Sequence, residues 1–297
     1  MKKIFIIGSI NMDLVIESPY MPENGETITG SNFMENPGGK GANQAVAVSK
    51  LGGASYMVGK VGKAFGRELV ETLKSYGVNT DYVKEEGSVS SGIAVIVVVD
   101  HDNRIILDKG SNALVDKELI DNALKDASKG DYVVCQLEIP QESVKYAFEV
   151  AKSKGLTTIL NPAPAKELID GILENTDYFI PNQTETELYT GILPDTIDKA
   201  KEACIKLTEL GVKNAVITLG TKGSIAYSNG EFVFANAYKV DAIDTTAAGD
   251  TYIGALTAKL SEGSSLKSSM DYASKASSIT VTRRGAQKSI PYKNEVK

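Results

Sequence analysis

A single histidine and two cysteines in 297 residues leave little room for imidazole or thiol chemistry. His101 sits in Asp100-His101-Asp102-Asn103, which reads as a hairpin turn, so neither a Ser-His-Asp hydrolase nor a multi-histidine zinc centre is supported. Cys135 lies in the apolar run 132–137 and Cys204 on a helix face. Both read as small buried residues of a reducing compartment, outside any disulfide framework or metal site. Acid–base work therefore falls mainly to carboxylates. No apolar run approaches the roughly 18 residues that a membrane span needs. Met1-Lys2-Lys3 followed by residues 4–7 mimics an export signal, but the run stops at Gly8, which predicts a cytoplasmic protein. The 32 Lys and Arg are scattered among 38 Asp and Glu, and a net charge of −6 argues against a nucleic-acid face while allowing a local anion site. No Gly-x-x-x-x-Gly-Lys-Ser/Thr occurs, and no Gly-x-Gly-x-x-Gly after a strand, so a P-loop and a dinucleotide fold have no support.

What is present is an alternating pattern. Helix-period segments cover 64–76, 117–127, 142–152 and 197–210, and short apolar strand-like runs lie at 132–137, 157–160, 178–181 and 215–219. This predicts one α/β domain over 1–297, a parallel or mixed sheet flanked by helices on both faces. Residues 11–36 and 90–110 do not fit the alternation. The first is turn-rich, and the second reads as a hairpin; together they predict a small β-lid inserted into the domain, with an edge hairpin of the main sheet as the simpler alternative.

The most telling stretch is Asp244-Thr245-Thr246-Ala247-Ala248-Gly249-Asp250-Thr251. Tiny residues at Ala247, Ala248 and Gly249 let a ligand approach the main chain, and the first N–H groups of the following helix would hold an anion such as a phosphate. Asp250 would project into the same space as a proton acceptor, although an Asp here is also a common helix cap. A second concentration of signal is Gly38-Gly39-Lys40-Gly41-Ala42-Asn43-Gln44, a flexible turn feeding a helix with hydrogen-bond donors at the joint. Upstream, Asn11 and Asp13 are two residues apart in an extended segment and face one side. A carboxylate there can accept from two vicinal hydroxyls.

Ligands of open parallel sheets bind beyond the carboxyl ends of the strands. Glu138, Asn161, Asn182 with Glu185, and Thr218-Leu219-Gly220-Thr221-Lys222-Gly223 all fall where strands end, as do Asn11 and Asp250. Anion cradle, base and hydroxyl-binding groups at one rim point to phosphoryl transfer onto an alcohol.

These segments, with Gly8-Ser9-Ile10-Asn11-Met12-Asp13 and Thr282-Arg283-Arg284-Gly285-Ala286-Gln287, resemble the ribokinase branch of the PfkB-type sugar kinases over essentially the whole chain. The resemblance implies ATP-dependent phosphorylation of D-ribose at O5. It places Asn11, Met12, Asp13, Gly39, Lys40, Gly41, Ala42, Asn43 and Glu138 at the sugar, with Asp250 as general base. Ala247, Ala248 and Gly249 would form the anion hole. Asn182 and Glu185 would position Mg2+ and phosphate, the metal meeting Glu185 through water. Thr218, Leu219, Gly220, Thr221, Lys222, Gly223, Gly249 and Ser274 would meet the nucleotide. Asp244, Thr246, Thr280, Arg283, Gly285 and Ser289 would cage an activating K+. A homodimer through the lid is implied as well. Deoxyribose, another small sugar or a nucleoside remains open as the acceptor, and so does a catalytically silent sugar-binding protein.

Overall fold

The computed structural model describes residues 1–100 and 102–297; His101, read above as part of a turn, lies outside the described residues. In chain order the elements are β1 (Lys3–Ile7), β2 (Asn11–Glu17), β3 (Ser31–Gly38), α1 (Lys40–Lys50), β4 (Ala54–Gly62), α2 (Gly66–Ser75) and β5 (Asn79–Glu86). Then come β6 (Gly92–Val99), β7 (Asp102–Asp108), α3 (Lys117–Leu124), β8 (Tyr132–Cys135), α4 (Gln141–Ser153), β9 (Thr157–Leu160) and β10 (Tyr178–Phe179). The chain continues with α5 (Gln183–Thr190), α6 (Ile197–Glu209), β11 (Asn214–Thr218), β12 (Ser224–Ser228), β13 (Glu231–Ala235), α7 (Ala248–Ser261) and α8 (Leu266–Thr280).

Nine strands form the main sheet in the order β13-β12-β11-β10-β9-β8-β1-β4-β5. Pairing is parallel from β11 to β5 and antiparallel at β12 and β13, so the sheet is mixed. Strands covered on both faces need apolar residues at every position, not every second one. In β1, Ile4 and Ile6 pack into one core and Phe5 and Ile7 into the other. Residues of α1, α2, α7 and α8 fill the first core, and those of α3, α4 and α6 the second. The four helix-period segments appear as α2, α3, α4 and α6.

The remaining strands make a separate sheet, β3-β2-β6-β7, from the two segments that broke the alternation. β2 follows β1 after only Gly8, Ser9 and Ile10, so the lid-like sheet grows straight out of the main sheet's carboxyl rim. Its outer strands expose Phe33 (59%) and Ile106 (73%). No helix among the described residues is long and apolar enough to cross a membrane.

Candidate active site

α7 is apolar and buried almost throughout, being packed between α1 and α8, and its first turn opens at the sheet's rim. Ala247 caps it at φ 59°, in the left-handed region that costs a non-glycine residue about 1–2 kcal/mol. This bend sends the Ala248 N–H to the Thr245 carbonyl (3.2 Å) and lets the Ala247 carbonyl accept from Thr251 N–H (2.8 Å). Ala248 is therefore not a free donor, contrary to the sequence expectation for the anion hole. Among the described residues, the N–H groups of Ala247, Gly249 and Asp250 have no main-chain acceptor. A Cβ built on Gly249 would meet nothing within 4 Å, so this turn faces open space.

The Asp250 carboxylate is buried, and both oxygens accept from side-chain amides of α1. Asn43 Nδ2 donates to Oδ2 and Gln44 Nε2 to Oδ1, each at 3.0 Å. Gln44 is a site residue that the sequence reading passed over, although it stood in the quoted segment. α1 itself starts against the β1–β2 connection. Ser9 accepts from Ala42 N–H through its carbonyl (2.9 Å) and from Gly41 N–H through Oγ (3.2 Å). Glu138 accepts from the Ser9 hydroxyl and from Lys40 N–H (3.1 Å), a carboxylate where the helix dipole favours one.

Gly41 and Ala42 thus spend their N–H groups on Ser9 and are buried, and the Met12 side chain is fully buried in a core. All three are taken up by the main chain or the core, unlike Asn11 and Asp13. Alternation along β2 explains Met12, since its neighbours Asn11 and Asp13 face the other way. Asn11 Oδ1 accepts from Asn112 Nδ2 (2.7 Å), and Asn112 Oδ1 accepts from Ile10 N–H (2.9 Å). Asn112 had no signal in the sequence beyond a polar residue after the hairpin.

Electrostatics tie these groups together. Burial, then Glu138 and Asp250, push the Asp13 carboxyl up to about 7 against the pull of Lys40. Burial pulls the Lys40 ammonium down, but Asp250, Glu138, Glu185 and Asp13 outweigh it and hold it above the ordinary lysine range. Burial also raises Glu185, helped by Asp250 and opposed by Asn182 N–H and Lys40. Four carboxylates around one ammonium suit a neutral polyol better than a free anion.

Beside the anion turn lies a cavity of about 730 Å³, within the usual range for a small-molecule site. Thr218, Gly220, Thr221 and Gly223 line one wall, Asn182 the floor near α5, and Ser274 and Ser277 the α8 side, with Gly249 at its inner end. Leu219 and Lys222 do not line it. Leu219 packs into the core, and Lys222 Nζ donates to the Asp195 carbonyl (2.5 Å), so a contiguous motif here includes residues that point away. Asn182 and Glu185 form a capping box on α5: Glu185 N–H donates to Asn182 Oδ1 and Asn182 N–H to Glu185 Oε2, both 2.8 Å. Glu185 Oε1 has no hydrogen bond among the described residues, which leaves it for a hydrated cation.

Asp244 stitches the anion turn to the segment after α8. Its Oδ1 accepts from Thr246 N–H (2.9 Å) and its Oδ2 from Gly285 N–H (2.8 Å), while Ile243 N–H donates to the Val281 carbonyl (2.7 Å). These bonds hold the Asp244 carboxyl below its usual range despite partial burial. The Arg283 guanidinium pairs with Glu295 (2.7 Å), Ser289 Oγ donates to the Ala286 carbonyl and Thr280 Oγ1 to Thr251 (3.0 Å). A cation held here would draw on carbonyl oxygens more than on these side chains. Among the described residues no three His, Cys, Asp or Glu side chains converge to hold a metal. Lys50, at the far end of α1, donates to the carbonyls of Gln287 (2.9 Å) and Ile290 (2.8 Å) and anchors the same segment.

Residues 1–293 match the model of the pfkB family of carbohydrate kinases. The chain is 41% identical to a ribokinase of Schizosaccharomyces pombe, with 100% of this chain and 97% of that protein covered. It is 38% identical to a deoxyribokinase of Salmonella typhi, with 97% and 95% covered. Among solved structures, a ribokinase of Arabidopsis thaliana complexed with ribose and ATP superposes with a TM-score of 0.93 at 31% identity, covering 99% of this chain and 97% of that one.

Proposed function

Because this chain belongs to the pfkB family of carbohydrate kinases, we propose that it transfers the γ-phosphoryl group of ATP to O5 of D-ribose, giving ribose 5-phosphate. The observation that carries this reading is the position of Asp250. Its carboxylate is fixed between the Asn11, Asp13, Lys40, Asn43 and Glu138 side and the open anion turn of the nucleotide cavity. Asp250 takes the proton of the 5-hydroxyl as that oxygen attacks the γ-phosphorus in line, and ADP leaves. The N–H groups of Ala247, Gly249 and Asp250 stabilise charge on the transferring group. Asn11 and Asp13 accept from or donate to adjacent ring hydroxyls, and Lys40 neutralises the approaching phosphoryl group.

Mg2+ fits the free Glu185 oxygen through water and supplies charge neutralisation of the phosphates when bound. K+ would be held by main-chain carbonyls of the segments carrying Asp244, Thr246, Thr280, Arg283, Gly285 and Ser289, where it would stiffen the anion turn. The four-stranded sheet acts as the lid that excludes water, and its uncovered apolar face pairs with a second copy of the chain. The two free buried cysteines suit a reducing cytoplasm.

Deoxyribose is the second reading, favoured by the 38% identity to the Salmonella typhi deoxyribokinase. Coupled ADP release from ATP, Mg2+ and K+ with D-ribose, deoxyribose or adenosine tests the proposal for wild type and Asp250→Asn. Ribose should give the highest kcat/KM, and Asp250→Asn should lower kcat by roughly 10²–10⁴-fold with sugar affinity largely kept. Higher kcat/KM with deoxyribose would replace the substrate. Silence with every acceptor would favour a binding protein, and near-normal turnover of Asp250→Asn would remove it as the base.

A further inference from the structure

Behind Asp250 lies a buried amide network whose direction can be worked out bond by bond. Asn161 Nδ2 faces the carbonyl of Ile180 (3.2 Å), which can only accept, so Asn161 Oδ1 faces Gln44. Gln44 therefore presents its NH2 group to both acceptors on that side, Asn161 Oδ1 (3.2 Å) and Asp250 Oδ1 (3.0 Å). Its own carbonyl is turned away and accepts from Gln136 Nε2 (2.7 Å). Gln44 and Gln136 are fully buried, and Asn161 nearly so. Gln136 Oε1 is left buried with no partner, a cost that a purely structural network would have little reason to keep. The chain of amides starts at a main-chain carbonyl beside β10, passes the ends of β9 and β8, and terminates on the carboxylate at the head of α7.

We propose that Gln44 is a positioning residue for the phosphoryl-transfer step, its amide orientation set by Asn161 and Gln136 so that it fixes the Asp250 carboxylate in one rotamer. The inference rests on the reading of Asp250 as general base. Gln44 does not face the sugar or nucleotide; it acts only through the oxygen it holds. Asn43 grips the other oxygen, so removing Gln44 leaves the carboxylate free to swing about a single remaining bond. A small misplacement of a catalytic group costs as much as about 10²-fold in rate.

The test is a double-mutant cycle in the full-length protein, with kcat and sugar KM measured for wild type, Gln44→Met, Asp250→Asn and the double variant, and thermal unfolding recorded for each. Gln44→Met should lower kcat about 10-fold to 100-fold, with KM for the sugar changed less than about 3-fold. The double variant should be no slower than Asp250→Asn alone, because the effect exists only where the carboxylate does. Should Gln44→Met fail to fold, Gln44→Leu removes every polar atom of the side chain in a smaller volume and is held to the same criteria. Normal kcat in the folded Gln44 variants, with Asp250→Asn slow, overturns the positioning role and leaves the base in place. Losses that multiply in the double variant overturn it as well. Near-normal turnover of Asp250→Asn removes the base and this inference together.

Discussion

β1 buries Ile4, Phe5, Ile6 and Ile7 completely, whereas in β7 Ile105 and Ile106 are 59% and 73% exposed. Each strand carries an Ile-Ile pair, Ile6-Ile7 in β1 and Ile105-Ile106 in β7, and the two belong to different sheets. The nine-stranded sheet is sealed by helices on both faces, so its rim can hold Asn161, Gln136 and Asp250 to fixed positions. Among the described residues no α-helix packs closely on the four-stranded sheet, and alternation along β7 sends Ile105 and Ile106 to opposite faces, so apolar side chains are exposed on both. Exposed apolar surface of this kind generally marks an interaction site. On the proposed function, the sealed sheet would hold the base, while the open one would supply cover and the Asn11 and Asp13 side chains.

The contrast is broken most severely inside a sealed core. Phe148, fully buried on α4, should cost about 3–5 kcal/mol when replaced by alanine, and Ile106→Ala on the lid under about 0.5 kcal/mol in the monomer, as chemical denaturation would record. Equal losses would mean that β7 is covered in the free protein. Next in size, Ile106→Asp should weaken self-association about 10-fold to 100-fold in analytical ultracentrifugation while leaving the unfolding midpoint of the main core alone. An unaltered association constant would move the dimer contact off this face.

A smaller effect sharpens the boundary where the sheets meet. The Asp13 carboxyl, ordinarily near 3.8, sits at about 7 in the folded chain because it is buried beside Glu138 and Asp250. Between those values the folded state holds a proton that the unfolded state has lost, so the Asp13 contribution to stability falls as pH rises through the window. The cost is complete above about pH 7. Asp13→Asn should raise Tm by about 2–4 °C at pH 8, a gain that fades toward pH 4, while sugar KM worsens. In the wild type, sugar KM should rise as pH drops below about 7, where the protonated carboxyl accepts less well. A flat KM profile with no Tm gain would show Asp13 to be an ordinary exposed aspartate.

Much of this was legible in the residues. Helix periodicity located α2, α3, α4 and α6, and the polar residues at strand ends do gather at one rim. β5, reading Asn-Thr-Asp-Tyr-Val-Lys-Glu-Glu, escaped notice because this edge strand is half-solvated and carries no apolar run. Consecutive residues of a motif were assigned together, yet a strand or tight turn sends neighbours to opposite sides, which is why Met12, Leu219 and Lys222 fell away. Gln44 depends on partners 92 and 117 positions distant, and Asn11 on one 101 positions away. No local pattern encodes such meetings; only the sheet order brings them about.

β2 begins at buried Asn11, passes Asp13 and runs out to Glu17 in the lid without a break. On the proposed function, substrate choice and closure would be written on one piece of backbone. A chimera that borrows the lid of a relative would import that relative's Asn11 and Asp13 positions with it. Divergence within such a lineage would therefore move lid shape and acceptor preference together, as one inherited trait.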